Sequence, residues 1–320
     1  EAGAIRDVGQ FVLYLRLSGA AGRLQAGRHR IHDDWTPDRI ARALTRPGRG
    51  RQIRVTLREG ESRFAYAETL DRLGVTPREA FVEATSDREL LDRLDITGDT
   101  AEGYLFPETY QMEPSSPAAA VVERLVATFR QRTASLIEAR AERVAALERD
   151  MADLERALSE RRARRGEPEV PPRSFTGLHA AVVLASIVEA ETPHADERPL
   201  VAAVFLNRLR SPDFEFRRLQ ADPTVRYGCE AEPDRAPSCR DASGPLTAAQ
   251  LEDGQNRYNT YRSAGLPPGP IGNPSLTSLE AVLSPAETAN LYFVARGDGR
   301  HAFSDTLEEH NSAVRRARGE

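Results

Sequence analysis

The segment Leu184-Ala185-Ser186-Ile187-Val188-Glu189-Ala190-Glu191-Thr192 holds the residues best suited to chemistry. In a helix, Glu189 shares its face with Ala185 at i−4 and Ser186 at i−3, whose small side chains leave room beside the carboxyl for a bulky ligand. Glu191 points about 200° away, on the face of Ile187 and Val188. At an apolar, recessed helix end, desolvation holds a carboxyl's proton more tightly. Such a group suits proton donation to a glycosidic oxygen. The spacing alone equally fits a glutamate in an ordinary salt bridge.

The other reactive residue types exclude more than they propose. Cys229 and Cys239 lie ten positions apart in a polar loop rich in Gly, Pro and Asp, with no His beside them, so a zinc site is not expected. A disulfide closing a surface loop is expected, which implies an oxidising compartment; two free thiols are the alternative. No metal and no cofactor is called for. The net charge of −5 over 320 residues argues against nucleic acid as a partner. All 44 basic residues are Arg, a bias from which no function is read. No apolar run reaches the length of a membrane span, and Phe11 to Leu17 is short and carries Arg16. The chain begins at Glu1 without a leader pattern, as expected of a chain trimmed of an upstream anchor.

The elements around these residues predict an α+β fold of more than one domain. Residues 24–95 read as two strand-turn-helix units. The first has an extended stretch Arg28 to His32, then Thr36-Pro37 opening a helix through Ile40, Ala43 and Leu44. The second has a strand Gln52 to Leu57, a turn at Gly60, a cap at Ser62 and a helix face of Ala65, Leu70 and Leu73 before Gly74. Together the two units have the size and order of a small LysM-like module. Neither Gly nor Pro occurs between Pro117 and Gly166, and Ile137, Val144, Met151 and Leu158 fall seven apart, with Leu147 and Leu154 between them. That predicts a charged, coiled-coil-like helix, paired within the chain or between chains, followed by a Pro-rich linker. From Phe175 onward the composition becomes that of a globular core. A helix runs from Leu178 to Glu191, another carries Val201, Val204, Phe205 and Leu209, a hairpin surrounds Gly297-Asp298-Gly299, and Leu307 to Arg318 forms a last helix.

Six blocks in order resemble the signatures of the YceG-like family of endolytic transglycosylases. They are Glu102-Gly103-Tyr104-Leu105-Phe106-Pro107-Glu108-Thr109-Tyr110; Ala185 to Glu191; Val204-Phe205-Leu206-Asn207-Arg208-Leu209; Leu219 to Gly228; Tyr258-Asn259-Thr260-Tyr261 with Gly265 to Gly269; and Leu291 to Val294 with His301 to Ser304 and on to His310-Asn311. The heptad helix and the Cys229–Cys239 loop depart from the pattern and read as insertions. The resulting division is 1–95 with the LysM-like module, 96–132 connecting, 133–173 inserted helix and linker, and 174–320 a mixed α/β catalytic domain. An insertion predicts that excising Arg140 to Arg164 leaves activity in solution intact.

The resemblance implies an inner-membrane protein, single-pass, with this part in the periplasm, acting on peptidoglycan glycan strands. It maps the family's catalytic glutamate onto Glu189 and implies nonhydrolytic cleavage of the MurNAc–GlcNAc β-1,4 bond, leaving a 1,6-anhydro end. A peptidoglycan synthase is a candidate partner. Candidate substrate-binding residues are Glu108, Tyr104, Gln220, Asp222, Asn259 and Tyr261. Each has a structural alternative: Asp222 as a cap before Pro223, Gln220, Asn259 and Tyr261 in loop hydrogen bonds, Glu108 paired with an Arg, and Tyr104 in the core. Two other functions compete: a hydrolytic muramidase using Glu108 or Asp222 as a second carboxylate, and a wall-binding scaffold without catalysis.

Overall fold

In a computed structural model, residues 5, 7–25, 29, 31–32, 34–46, 52–166, 173, 175–211, 217–241 and 244–318 are described. Their helices are α1 (Val8–Leu17), α2 (Pro37–Leu44), α3 (Arg63–Arg72), α4 (Arg78–Ala84), α5 (Arg88–Arg93), α6 (Ala118–Ala139), α7 (Ala141–Arg164), α8 (Gly177–Glu191), α9 (Arg198–Arg210), α10 (Asp222–Ala231), α11 (Ala248–Glu252), α12 (Leu276–Leu283) and α13 (Leu307–Arg318). The strands are β1 (Ile53–Thr56), β2 (Thr109–Met112), β3 (Tyr292–Ala295) and β4 (His301–Ser304), in two antiparallel two-stranded sheets. The fold is mixed α/β, mostly helical.

Several elements begin where local chemistry dictates. Thr36, Ser62, Asp87, Thr176 and Ser275 cap α2, α3, α5, α8 and α12, each side chain accepting a backbone N–H that the first turn leaves unpaired. The centre is α8, which is apolar all round: every residue from Gly177 to Val188 except Leu178 is buried. A helix with no polar face must be enclosed, and α7, α9, α10 and α12 pack against it.

Three sequence expectations change on the structure. β1 pairs with β2, in register Ile53↔Met112 and Val55↔Tyr110, so its partner comes from the stretch read as a connection. Of the first extended stretch, Arg28 and Arg30 lie outside the described residues, and His29, Ile31 and His32 are in no strand. The single helix expected between Pro117 and Gly166 is two. Arg140 leaves helical geometry (φ −120°, ψ 22°), and its Nε donates to Ser284 Oγ at 2.7 Å. The linker residues 167–172 lie outside the described residues.

The heptad seam is covered within the chain. Leu147, Met151, Leu154 and Leu158 are buried in the main core, with Val144 packed at its edge, and they face α8. Gly177 opens α8 so close to α7 that a Cβ there would lie 2.0 Å from the Val144 carbonyl oxygen. Removing α7 would therefore strip one wall from the helix that carries Glu189. This packing argues against the expectation that Arg140 to Arg164 can be removed without effect on the site. The same apolar cluster runs from Val55 to Leu283, across the divisions expected at 96, 133 and 174; α1 and α2 form a separate cluster around Phe11, Leu15 and Ile40.

Candidate active site

Glu189 stands in the last turn of α8 with its side chain only 7% exposed. Its carboxylate is held by two long-range partners. Oε1 accepts from Arg198 Nη2 at 2.7 Å, and Arg198, the first residue of α9, is equally buried. Oε2 accepts from the Ser275 backbone N–H at 2.9 Å and from the Ser275 hydroxyl. Ser275 also caps α12, so the carboxylate faces the positive end of a second helix. Arg198 Nη1 donates to Ser275 Oγ at 2.9 Å and to Thr277 Oγ1, which locks the cation in place. The recess expected from Ala185 and Ser186 is thus lined by charge and hydroxyls on one side.

A turn also packs against Glu189. Gly60 has φ +76°, and a Cβ there would lie 3.3 Å from Glu189 Cγ, so only glycine fits both the backbone and the gap. Its neighbour Glu59 is exposed; partial desolvation, then the Glu189 charge, push the Glu59 carboxyl up, and Arg198 opposes them. Ser186, one of the small residues beside Glu189, donates to Val183 O at 2.7 Å and accepts from Ile271 N at 3.0 Å. That bond fastens the 271–275 segment, and with it Ser275, onto α8.

Asn273 is the junction beneath this site. Its N–H donates to Glu61 O (3.1 Å) and its carbonyl accepts from Gly60 N (2.8 Å). Oδ1 accepts from Gly103 N (2.9 Å) and Leu105 N (3.1 Å), while Nδ2 donates to Glu61 O (3.0 Å) and Glu102 Oε1 (2.8 Å). Glu102 is fully buried; the Arg63 N–H lies 2.9 Å from each of its oxygens, and Tyr227 donates at 3.0 Å. Burial pushes the Glu102 carboxyl up to about 7 against these donors.

Of the residues expected to bind substrate, Asp222 and Tyr261 come together, the Tyr261 hydroxyl donating to Asp222 Oδ1 at 2.6 Å. They gather about Glu191, on the other face of the end of α8. Burial, then the Asp222 charge, push Glu191 up to about 7, and Arg208 opposes them. Asp222 is the first residue of α10 rather than its cap, which is Ala221. Gln220 adopts φ 56° and its N–H donates to Thr260 O at 3.2 Å, which orients the turn entering α10. Asn259 is fully buried, with Nδ2 donating to the carbonyls of Gln250, Leu251 and Asp253. Tyr104 is buried between Phe129 and His179, its hydroxyl 2.9 Å from His179 Nδ1. Neither Asn259 nor Tyr104 offers a free group to a sugar in this conformation. Glu108 pairs with Arg132 at the β2 edge. Cys229 and Cys239 are joined by a disulfide.

Sequence reasoning did not find Arg198, Ser275, Asn273, Gly60 or Glu102 as site residues. Ser275 carried a signal, a serine ahead of an apolar helix, and Gly60 a turn signal; neither reveals what it faces. Among the described residues no cluster of His, Cys, Asp and Glu could hold a metal, and no helix is long and apolar enough to cross a membrane.

The site is thus a buried carboxylate at the end of α8, held by Arg198 and Ser275 and packed closely against the Gly60 turn. Residues 1–316 match the YceG-like family, and the chain belongs to that family. It is 28% identical over 323 residues to the endolytic murein transglycosylase of Bacillus subtilis (strain 168), covering 97% of this chain and 77% of that protein. It is 23% identical over 317 residues to the endolytic murein transglycosylase of Streptococcus pneumoniae serotype 2, covering 91% of this chain and half of that protein. The fold matches the crystal structure of a yceG-like protein from Listeria monocytogenes with a TM-score of 0.59, at 24% identity over 97% of this chain and 91% of that one.

Proposed function

We propose that this chain is an endolytic peptidoglycan lytic transglycosylase in which Glu189 serves as both acid and base. The observation that carries this reading is the placement of Glu189, in a chain that belongs throughout to a family with relatives named for that activity. Glu189 protonates the oxygen bridging MurNAc C1 and GlcNAc C4, and the C1–O bond breaks. The MurNAc C6 hydroxyl then attacks C1, and its proton passes to the Glu189 carboxylate. The product is a 1,6-anhydro end, no water is consumed, and the enzyme returns to its starting protonation state. One carboxyl suffices because the sugar supplies its own nucleophile, whereas most glycosidases use a second acid for that purpose.

The surrounding groups fit both protonation states. Arg198 and the Ser275 N–H stabilise the carboxylate form. The Ser275 hydroxyl can turn to accept from the protonated form, because a hydroxyl both donates and accepts. Asp222 and Tyr261 beside Glu191, and Gln220 in the turn entering α10, stand as the candidate saccharide contacts, and the proposed setting is the periplasmic side of an inner membrane with the anchor upstream. Nascent strands would bring a peptidoglycan synthase near. The test is the mass of the products of purified glycan strands: new ends one water lighter than hydrolysed ends are expected. Hydrolysed ends would make the protein a muramidase, and no new ends would make it a scaffold.

A further inference from the structure

The turn between β1 and α3 is fastened on both sides of Glu59. Leu57 N–H donates to Glu108 O at 3.1 Å, and Arg58 O accepts from the Tyr66 hydroxyl at 2.7 Å. Gly60 N–H donates to Asn273 O at 2.8 Å, and Glu61 O accepts from Asn273 N (3.1 Å) and Nδ2 (3.0 Å). Glu59 is different. Among the described residues it has no hydrogen-bond or ion-pair partner, through either its backbone or its side chain.

This turn lies against the carboxyl assigned to the chemistry. A Cβ on Gly60 would stand 3.3 Å from Glu189 Cγ, and one on Gly272 would stand 2.6 Å from Gly60 O. The turn is therefore clamped between α8 and the segment that ends on Ser275, and Glu59 is carried beside the site by a fixed backbone. Partial desolvation acts on its carboxyl first, and the charges of Glu189 and Arg198 both reach it. Glu59 is exposed, whereas the Glu189 side chain is nearly covered, so Glu59 is the more accessible of the two.

The surroundings of Glu59 disfavour its charge, and no bond within the chain offsets that. Acidic residues beside turns and helix starts ordinarily accept a backbone N–H, as Asp87 does from Leu90 at 2.8 Å. Glu59 accepts none. Local rules are broken in this way chiefly at functional sites, where a ligand supplies the missing partner. An ionised carboxylate only accepts, so the partner must be a donor. Hydroxyl and acetamido N–H groups along a glycan strand are donors of that kind. Because the backbone of the turn is already fixed, such a contact orders one side chain and little else.

We propose that Glu59 is a substrate-binding residue, its carboxylate accepting hydrogen bonds from a hydroxyl or acetamido N–H of the sugar that reaches Glu189. The inference rests on the transglycosylase reading for its ligand, but binding can be measured without turnover.

The test uses the full chain in two backgrounds. In Glu189→Gln, which is expected to bind strands without cutting them, the probe is a GlcNAc–MurNAc tetrasaccharide carrying its stem peptides. Adding Glu59→Ala should weaken its binding at least tenfold, since hydrogen bonds to a charged acceptor are the stronger kind. Adding Glu59→Gln should weaken it less, because the amide oxygen still accepts. In the otherwise wild-type chain, Glu59→Ala should lower kcat/KM for strand cleavage at least tenfold. The melting temperature should stay equal or rise, since an unpartnered charge is removed. That last reading separates a contact from a structural role. Unchanged binding and cleavage in Glu59→Ala overturn the proposal, as does binding of the tetrasaccharide by neither protein. Loss of binding together with a lowered melting temperature in both Glu59→Ala and Glu59→Gln would make Glu59 a part of the turn and overturns it too. If the wild type cuts no strand while tetrasaccharide binding still depends on Glu59, the transglycosylase reading fails and the contact stands.

Discussion

Glu189 and Glu102 are both buried carboxylates, and they sit on two sides of the same loop junction with opposite surroundings. Glu102 is enclosed by neutral donors from Arg63 N–H, Tyr227 and Asn273, which draw together four separate stretches of chain. Glu189 accepts from a guanidinium and a serine, and the Gly60 turn packs against its Cγ. Glu102 is surrounded by groups it holds in place. Glu189 is held in place by a cation and by the cap of a second helix. Burial therefore does not distinguish the two carboxyls; the kind of donor that reaches each one does.

The same substitution at both positions should separate them. Glu189→Gln keeps the shape of the side chain but removes the transferable proton, so strand cleavage should fall about a thousandfold or more while the fold is retained. The checks are anhydro-product formation and circular dichroism. A folded Glu189→Gln protein that still cuts strands would remove Glu189 from the chemistry.

The other end of α8 sharpens the contrast, because His179 is a buried titratable group with no charged hydrogen-bond partner. Burial lowers its pKa to about 4 from the usual 6.5, so the unfolded chain binds the proton that the folded chain refuses. Its contribution is full above pH 6.5 and is lost as pH falls toward 4, about 3 kcal/mol in all. Urea unfolding across that range should show this loss in the wild type relative to His179→Gln. Glu102 and Glu191 run the other way, since burial raises both, so their contributions shrink as pH rises from about 4.5 to 7. The wild-type-minus-variant difference cancels them, and a flat difference would refute the assignment of a neutral buried His179.

Glu102→Gln should act on stability instead of chemistry. An amide offers one acceptor oxygen and a donor, so at least one of the surrounding donors is left without a partner, at a cost of about 2 kcal/mol. Activity per folded molecule should stay near the wild-type value. A large loss of turnover at unchanged stability would move Glu102 from the scaffold into the reaction.

How much of this was legible in the sequence follows the range of the interactions. Caps at Thr36 and Ser62, the α8 boundary before Pro193, the β3–β4 hairpin and α13 depend on neighbours within a few residues, and they could be read directly. The β1 partner lies more than fifty residues away, and nothing in either strand specifies the other. The heptad spacing of α7 correctly marked an apolar stripe, but a stripe does not say what covers it, and here it is the helix carrying Glu189. Glu189 itself stood out by its small neighbours. Ser275, 86 residues on, did not, nor did Asn273, 171 residues from Glu102. Arg198 is close in sequence, but only the turn between α8 and α9 brings it back onto the carboxylate.

The smallest expected effect concerns Glu59, the neighbour of the Gly60 turn that packs against Glu189. Two causes raise the Glu59 carboxyl: partial desolvation, which is the larger, and the negative charge of Glu189; Arg198 acts against both. Glu189→Gln removes that negative charge and leaves Arg198 in place. The field at Glu59 then changes sign in favour of its carboxylate, so its titration should move down toward the ordinary glutamate range without reaching it, because the desolvation remains. Carbon-detected NMR titration of the Glu59 carboxyl in wild type and Glu189→Gln reads this shift, and rising salt should reduce the difference because Glu59 is exposed. An unchanged Glu59 titration would mean that the two carboxyls do not share a field, and that Gly60 separates them rather than joining them in one cleft.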